Sequence, residues 1–221
     1  MQFDWAQKTL LWLIPLIFAV TVHEVAHGFV ASRRGDCTAK MLGRLTLNPL
    51  KHIDLVGTVL LPLALLFLSA GHFTFGYAKP VPVNERNLKN PRWDSAWVSL
   101  AGPVANFIMA FLWAALIVLG QQVQSNNPWV ADILMSMGMA GVQINVVLAV
   151  LNLIPIPPLD GSRVLAAFLS TKAAWGYLRF ERYGFILLII LLATGLLGRI
   201  LWPVVYTLVS AILSLFGLSI G

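Results

Sequence analysis

The run His23-Glu24-Val25-Ala26-His27 sets two imidazoles four positions apart, with a carboxylate beside the first. On an α-helix, positions i and i+4 share a face, so both rings can reach one ion. Glu24 stands one step around that helix, close to such an ion without ligating it. Zinc suits two imidazoles and an oxygen ligand with a fourth position left for water. It brings the pKa of that water towards 7, and a nearby carboxylate can then take its proton. The chemistry expected of these residues is therefore hydrolysis at a metal ion. A pattern with three fixed positions arises by chance in about one chain in a hundred of this length, or fewer. Its setting adds weight, because His23, Glu24 and His27 all lie in one otherwise apolar segment. A charged side chain at membrane depth costs about 2.5–3.5 kcal/mol and by default marks function.

Two histidines leave the site one ligand short. The candidates are His52, His72 and the sparse acids, among which Asp160 closes the run NLIPIPPLDG at 152–161. His52 and Asp54, in the run HID, precede an apolar segment within a basic stretch, where an interfacial structural role is the simpler reading; His72 is similar.

The elements that must position these groups follow from composition. The chain has 221 residues, 58% of them hydrophobic and only 11% charged. A soluble domain carries about a quarter charged residues to cover its wet surface, so most of this surface faces lipid. A crossing helix needs about 20 mostly apolar residues. Spans are expected near 9–31, 55–70, 94–120, 131–154, 184–198 and 200–219. Pro15, Pro62 and Pro103 lie inside spans, where neighbouring helices can satisfy the freed carbonyls. The N-terminal apolar run is read as a retained helix, since no small-residue cleavage site follows it. No repeat or linker divides the chain, so a single domain is expected over 1–221, with a core at 9–165 and two further spans at 184–219.

Charge orients the spans. Basic residues gather after the first span (Arg33, Arg34, Lys40, Arg44, Lys51), before the third (Lys79, Arg86, Lys89, Arg92) and after the fourth (Arg163, Lys172, Arg179, Arg182), whereas 121–129 carries no charge. The positive-inside rule puts the basic segments in the cytoplasm. The net charge of +6 is then a topology signal, and no basic run interleaved with stacking aromatics points to nucleic acid. A single crossing at 55–70 would put two basic segments on opposite sides. Either it is an exception to the rule, or the chain returns through an extended re-entrant stretch at 72–83, which needs protein or a wet cavity around it. With this topology the first and fourth spans run in the same direction, so Asp160 arrives at the depth of His23 and His27. Pro155, Pro157 and Pro158 break the helix before it and are expected to present Asp160 from irregular backbone. The lone Cys37 can form no intrachain disulfide.

HEVAHG together with NLIPIPPLDG resembles the paired signatures H-E-x-x-H and N-x-x-P-x-P-x-L-D-G of the site-2 protease family of intramembrane metalloproteases. AGPVAN at 101–106 is similar to that family's G-P-x-x-N element, and GYAKPVPVN at 76–84 to a stretch of its compact bacterial and archaeal members. The resemblance spans roughly residues 15–165. It implies one Zn2+ per chain held by His23, His27 and Asp160, with Glu24 as the catalytic carboxylate. It also implies that Asn152 and Asn106 hold the substrate backbone or the oxyanion; ordinary interhelical hydrogen bonding is the plainer reading of both. Asn145 has no motif behind it and reads as a packing residue. The implied protein is an all-α polytopic membrane protein of the prokaryotic cytoplasmic membrane, with about six spans and an active site towards the cytoplasm. It would be a zinc metalloendopeptidase without a PDZ or nucleotide-sensing domain. Its substrate would be a transmembrane segment of another membrane protein, unwound for attack and met by strand addition along 72–83. A non-proteolytic zinc-binding membrane protein, a transporter or a scaffold, is the alternative.

Overall fold

The computed structural model describes residues 4–52, 54, 60 and 79–219. Helix α1 runs over Trp5–Arg34. It starts at a capping box in which Gln7 N–H donates to Asp4 Oδ1 (2.7 Å) and Asp4 N–H donates to Gln7 Oε1 (3.0 Å), satisfying amides that a helix start leaves open. It stops at Gly35, in the left-handed region at φ 116°. Arg33 and Arg34 in its last turn complement the negative end of the helix dipole. Along α1 Leu11, Pro15, Ala19, His23, His27 and Ala31 are buried, with Thr21 and Gly28 beside them, while Trp12, Ile14, Phe18 and Phe29 are exposed. The buried stripe advances four residues at a time, so one narrow seam meets protein and the apolar remainder meets lipid.

A short α2 (Thr38–Met41) and two 3-10 turns, Pro49–Lys51 and Glu85–Asn87, flank the stretch outside the description. Residues 79–84 are extended, without helix or strand. The long helices α3 (Pro91–Val123) and α4 (Pro128–Asn152) follow, then α5 (Asp160–Phe168), α6 (Thr171–Leu178), α7 (Glu181–Ala193) and α8 (Leu196–Leu215).

Helices α1 and α3 are antiparallel. Lys89 N–H donates to Arg34 O (3.0 Å) and Arg34 pairs with Asp94 at 3.3 Å, while Asn106 bonds Ala19 deeper in. Helices α3 and α4 form an antiparallel hairpin packed through small residues. A methyl at Gly138 would meet Ile117 at 2.5 Å, and one at Gly141 would meet the Trp113 ring at 2.2 Å. Without a hydrophobic drive between helices in lipid, such close approach is what holds them together. Ala110, Ala114, Ile117, Val142 and Val146 then form a core with Val205, Val209, Ile212 and Leu213 of α8.

Among the described residues there is no strand, and four helices are long and apolar enough to cross a membrane: Thr9–Arg34, Pro91–Val123, Pro128–Asn152 and Leu196–Leu215. The chain is an integral membrane protein. These four match the expected first, third, fourth and sixth spans. The expected fifth is the 13-residue α7, closed by a turn in which Gly195 sits at φ 71°; a straight crossing needs about 20 residues. The expected second span at 55–70, apart from Leu60, lies outside the described residues, as do 72–78 of the proposed re-entrant stretch, including His72.

Candidate metal centre

His23 and His27 project from the buried seam of α1 towards α3. The Nδ1–H of His27 donates to the backbone carbonyl of Val98 at 2.7 Å. His23 Nδ1 lies 2.6 Å from Asn106 Oδ1. Asn106 is fully buried and its Nδ2 donates to Ala19 O (3.2 Å) and to Asn145 Oδ1 (2.9 Å). Its Oδ1 is therefore the acceptor, and His23 Nδ1 carries the proton. Both rings thus turn Nε2 to the same side.

Asp160 meets them there. Its Oδ2 lies 3.2 Å from His23 Nε2 and 3.3 Å from His27 Nε2, and the two Nε2 atoms are 3.0 Å apart. The carboxylate is in the first turn of α5 rather than on irregular backbone: the prolines end before Leu159, and Asp160-Gly161-Ser162 open a helix, with Ser162 Oγ donating to Leu159 O at 2.6 Å. A methyl at Gly161 would strike Leu153 O at 2.2 Å, so only glycine lets that turn fold back onto the end of α4. Tyr177 OH donates to Pro155 O at 2.6 Å, steadying the proline-rich connection. Arg92 of α3 donates to Ala167 O (2.7 Å) and Leu169 O (2.8 Å), closing the far end of α5, and Arg163 pairs with Glu85.

The two Nε2 atoms and Asp160 Oδ2 converge on one point, and Asp160 Oδ2 is buried. A cation between them would satisfy all three atoms at once. Ligands about 2.05 Å from a tetrahedral zinc stand about 3.3 Å apart, close to the spacings observed. Space is available for the ion because residue 102 is glycine: a Cβ there would come within 2.5 Å of His27 Nε2 and 2.6 Å of His23 Nε2. His23, His27 and Asp160 are the one such metal-capable group among the described residues.

The other candidates fall elsewhere. His52 is buried, with Nε2 donating to Thr46 O at 2.9 Å, and takes no part in the cluster. Asn152 is in the last turn of α4 with Nδ2 donating to Leu148 O at 3.0 Å. Glu24 is not a ligand; its Oε2 accepts from Val81 N–H at 2.7 Å. That bond bears on strand addition, because Pro80 and Pro82 have no N–H and that of Val81 is already used. Three features of the site were not read from the sequence: the roles of Gly102 and Asn145 and the amide of Val81. Gly102 lies within AGPVAN and Val81 within GYAKPVPVN, but nothing in either run pointed to these roles.

The fold and the site together describe an integral membrane protein with a metal-capable centre. The family described as Peptidase family M50 matches residues 11–195; the chain belongs to it, the site-2 protease family, and is a zinc metalloprotease. YwhC of Bacillus subtilis, named as a candidate zinc metalloprotease, is 41% identical over 92% of this chain and 90% of its own length. Rip2 of Mycolicibacterium smegmatis, named likewise, is 32% identical over 88% of this chain and 70% of its own. No solved structure matches the chain significantly.

Proposed function

We propose that this zinc metalloprotease is an intramembrane endopeptidase that hydrolyses peptide bonds within or near transmembrane segments of other membrane proteins. The observation that carries the reading is the placement of His23, Glu24 and His27 on a helix apolar enough to cross the bilayer. His27 lies about two turns, roughly 10 Å, inside the basic end of that helix at Arg34. Chemistry at that depth meets a membrane-embedded peptide.

His23, His27 and Asp160 hold the ion. When bound, zinc polarises the substrate carbonyl and acidifies a water. Glu24 would take the proton and return it to the leaving amine, the ordinary duty of a general base. Asn106, spent on His23, is a positioning residue. Asn152 is the candidate for holding the substrate backbone. The catalytic unit is one membrane-embedded domain over 1–221, with its core at 9–165 and the 184–219 region alongside. Basic residues at the His27 end of α1 support a site that faces the cytoplasm. Completing six spans needs 55–70 and α7 to cross as well.

The test is cleavage of model transmembrane substrates by purified protein in detergent, with zinc measured. Wild type is expected to cleave and to hold one zinc, and Glu24→Gln to hold zinc without cleaving. Equal cleavage by Glu24→Gln sinks the role of Glu24; a zinc-loaded wild type that cleaves no transmembrane segment sinks the substrate class.

A further inference from the structure

We infer that the backbone amide of Val81 aims the Glu24 carboxylate, and that residues 79–84 form a rigid strap built to deliver that one hydrogen bond. The inference rests on the protease reading above.

Val81 N–H donates to Glu24 Oε2 at 2.7 Å, the length of a charge-assisted bond. Among the described residues it is the only hydrogen bond to the Glu24 carboxylate. A glutamate side chain has three rotatable bonds, and holding it in one pose costs rotamer entropy. A donor fixed in the protein meets that cost before substrate arrives and leaves Oε1 to handle the proton.

The strap is fixed at both ends and in the middle. Lys79 N–H donates to His52 O at 2.9 Å, and Lys79 O accepts from Arg44 Nη2 at 3.1 Å. At the other end Asn84 N–H donates to Asp36 Oδ2 at 2.7 Å. Pro80 and Pro82 bracket Val81, lock φ on either side of it and offer no amide of their own. The Val81 side chain is buried against α1 just past the metal motif: a Cβ at Gly28 would meet Val81 Cγ1 at 2.7 Å. Glycine at 28 leaves the seat, valine fills it, and the peptide N–H of residue 81 points at the carboxylate one turn back along α1. Val81 is thus a positioning residue that acts through its backbone.

The decisive variant replaces the amide of residue 81 by an ester, using the α-hydroxy analogue of valine, which deletes the N–H and keeps the side chain. Val81→Pro also deletes the N–H, without keeping the side chain, and wild type made by the same route as the ester is the control. kcat and KM are measured on a model transmembrane substrate, with zinc content determined for each protein. The ester is expected to lower kcat about tenfold to a hundredfold, to leave KM within about twofold, and to keep one zinc. Unchanged kcat in the ester overturns the inference, as does a rise in KM alone, which would make the amide a substrate contact. Loss of zinc in the ester overturns it too, since the strap would then hold the fold rather than the carboxylate. If wild type itself cleaves nothing, the protease reading fails and takes this role with it; every other failure leaves that reading standing.

Discussion

At the scale of the residue, Gly102 matters as much as the ligands although it brings no donor atom. Its missing Cβ is the space in which an ion can sit between His23 and His27. Gly102→Ala puts a methyl within 2.6 Å of both Nε2 atoms, and α3 cannot withdraw without breaking the Val98 and Asn106 bonds to the same rings. The expected outcome is a folded protein whose zinc affinity falls by at least about tenfold to a hundredfold, read by metal analysis after dialysis against a zinc buffer; full zinc occupancy would contradict it. The two histidines and Glu24 were legible in the sequence because helical spacing alone brings them together. Asp160 was legible because the topology set its depth. Gly102 was not, because empty space leaves no chemical pattern: its partners are 75 or more positions away and only the packed helices reveal them.

At the scale of the element, α1 supplies the ligands, α3 orients them and α4 supports α3. The chain of bonds from His23 through Asn106 to Asn145 ends on Gly141 O at 2.8 Å. Asn145 keeps the amide of Asn106 turned so that its oxygen faces His23, and through that it sets the tautomer of a metal ligand. Asn145→Leu is expected to lower zinc affinity about tenfold to a hundredfold, as loss of such outer support does elsewhere, whereas Asn145→Gln or Asn145→Asp retains part of it; titration against a competing chelator distinguishes the series. Reading Asn145 as packing alone missed this role, since a side chain two bonds removed from the ion has no motif. The spans themselves were read well where an apolar run is long. Helix α7 was overextended because a hydropathy window slides over Thr194-Gly195, where the backbone turns. Asp160 was expected on irregular backbone because three prolines precede it. The helix nonetheless restarts as soon as they end, at a residue that favours the positive end of a helix dipole.

At the scale of the whole molecule, Asp36 ties the end of α1 to the chain that crosses above it. It is fully buried and accepts from Thr38 N–H (3.1 Å), Thr38 Oγ1, Asn84 N–H (2.7 Å) and Asn87 Nδ2 (2.9 Å). Burial pushes its pKa up, but these hydrogen bonds, that from the Thr38 hydroxyl foremost, outweigh burial and hold it below the ordinary carboxylate value. The sign follows from linkage: a depressed folded pKa means stability that is complete above the unfolded pKa of about 3.9 and is lost as pH falls through the folded value. Thermal unfolding in detergent should therefore show Asp36→Asn less stable by about 1–3 kcal/mol at neutral pH, with the gap constant down to about pH 5 and closing below about pH 4. A gap independent of pH would remove the carboxylate charge from the explanation. The order of the elements along the chain has a consequence for biosynthesis. Proteins are made N-terminus first, so the helix bearing His23, Glu24 and His27 enters the membrane before α3, α4 or Asp160 exists. Until the ribosome has passed residue 160, the nascent enzyme holds a base and two imidazoles without the third ligand. On the proposed ligand set, no complete metal site exists for most of its own synthesis.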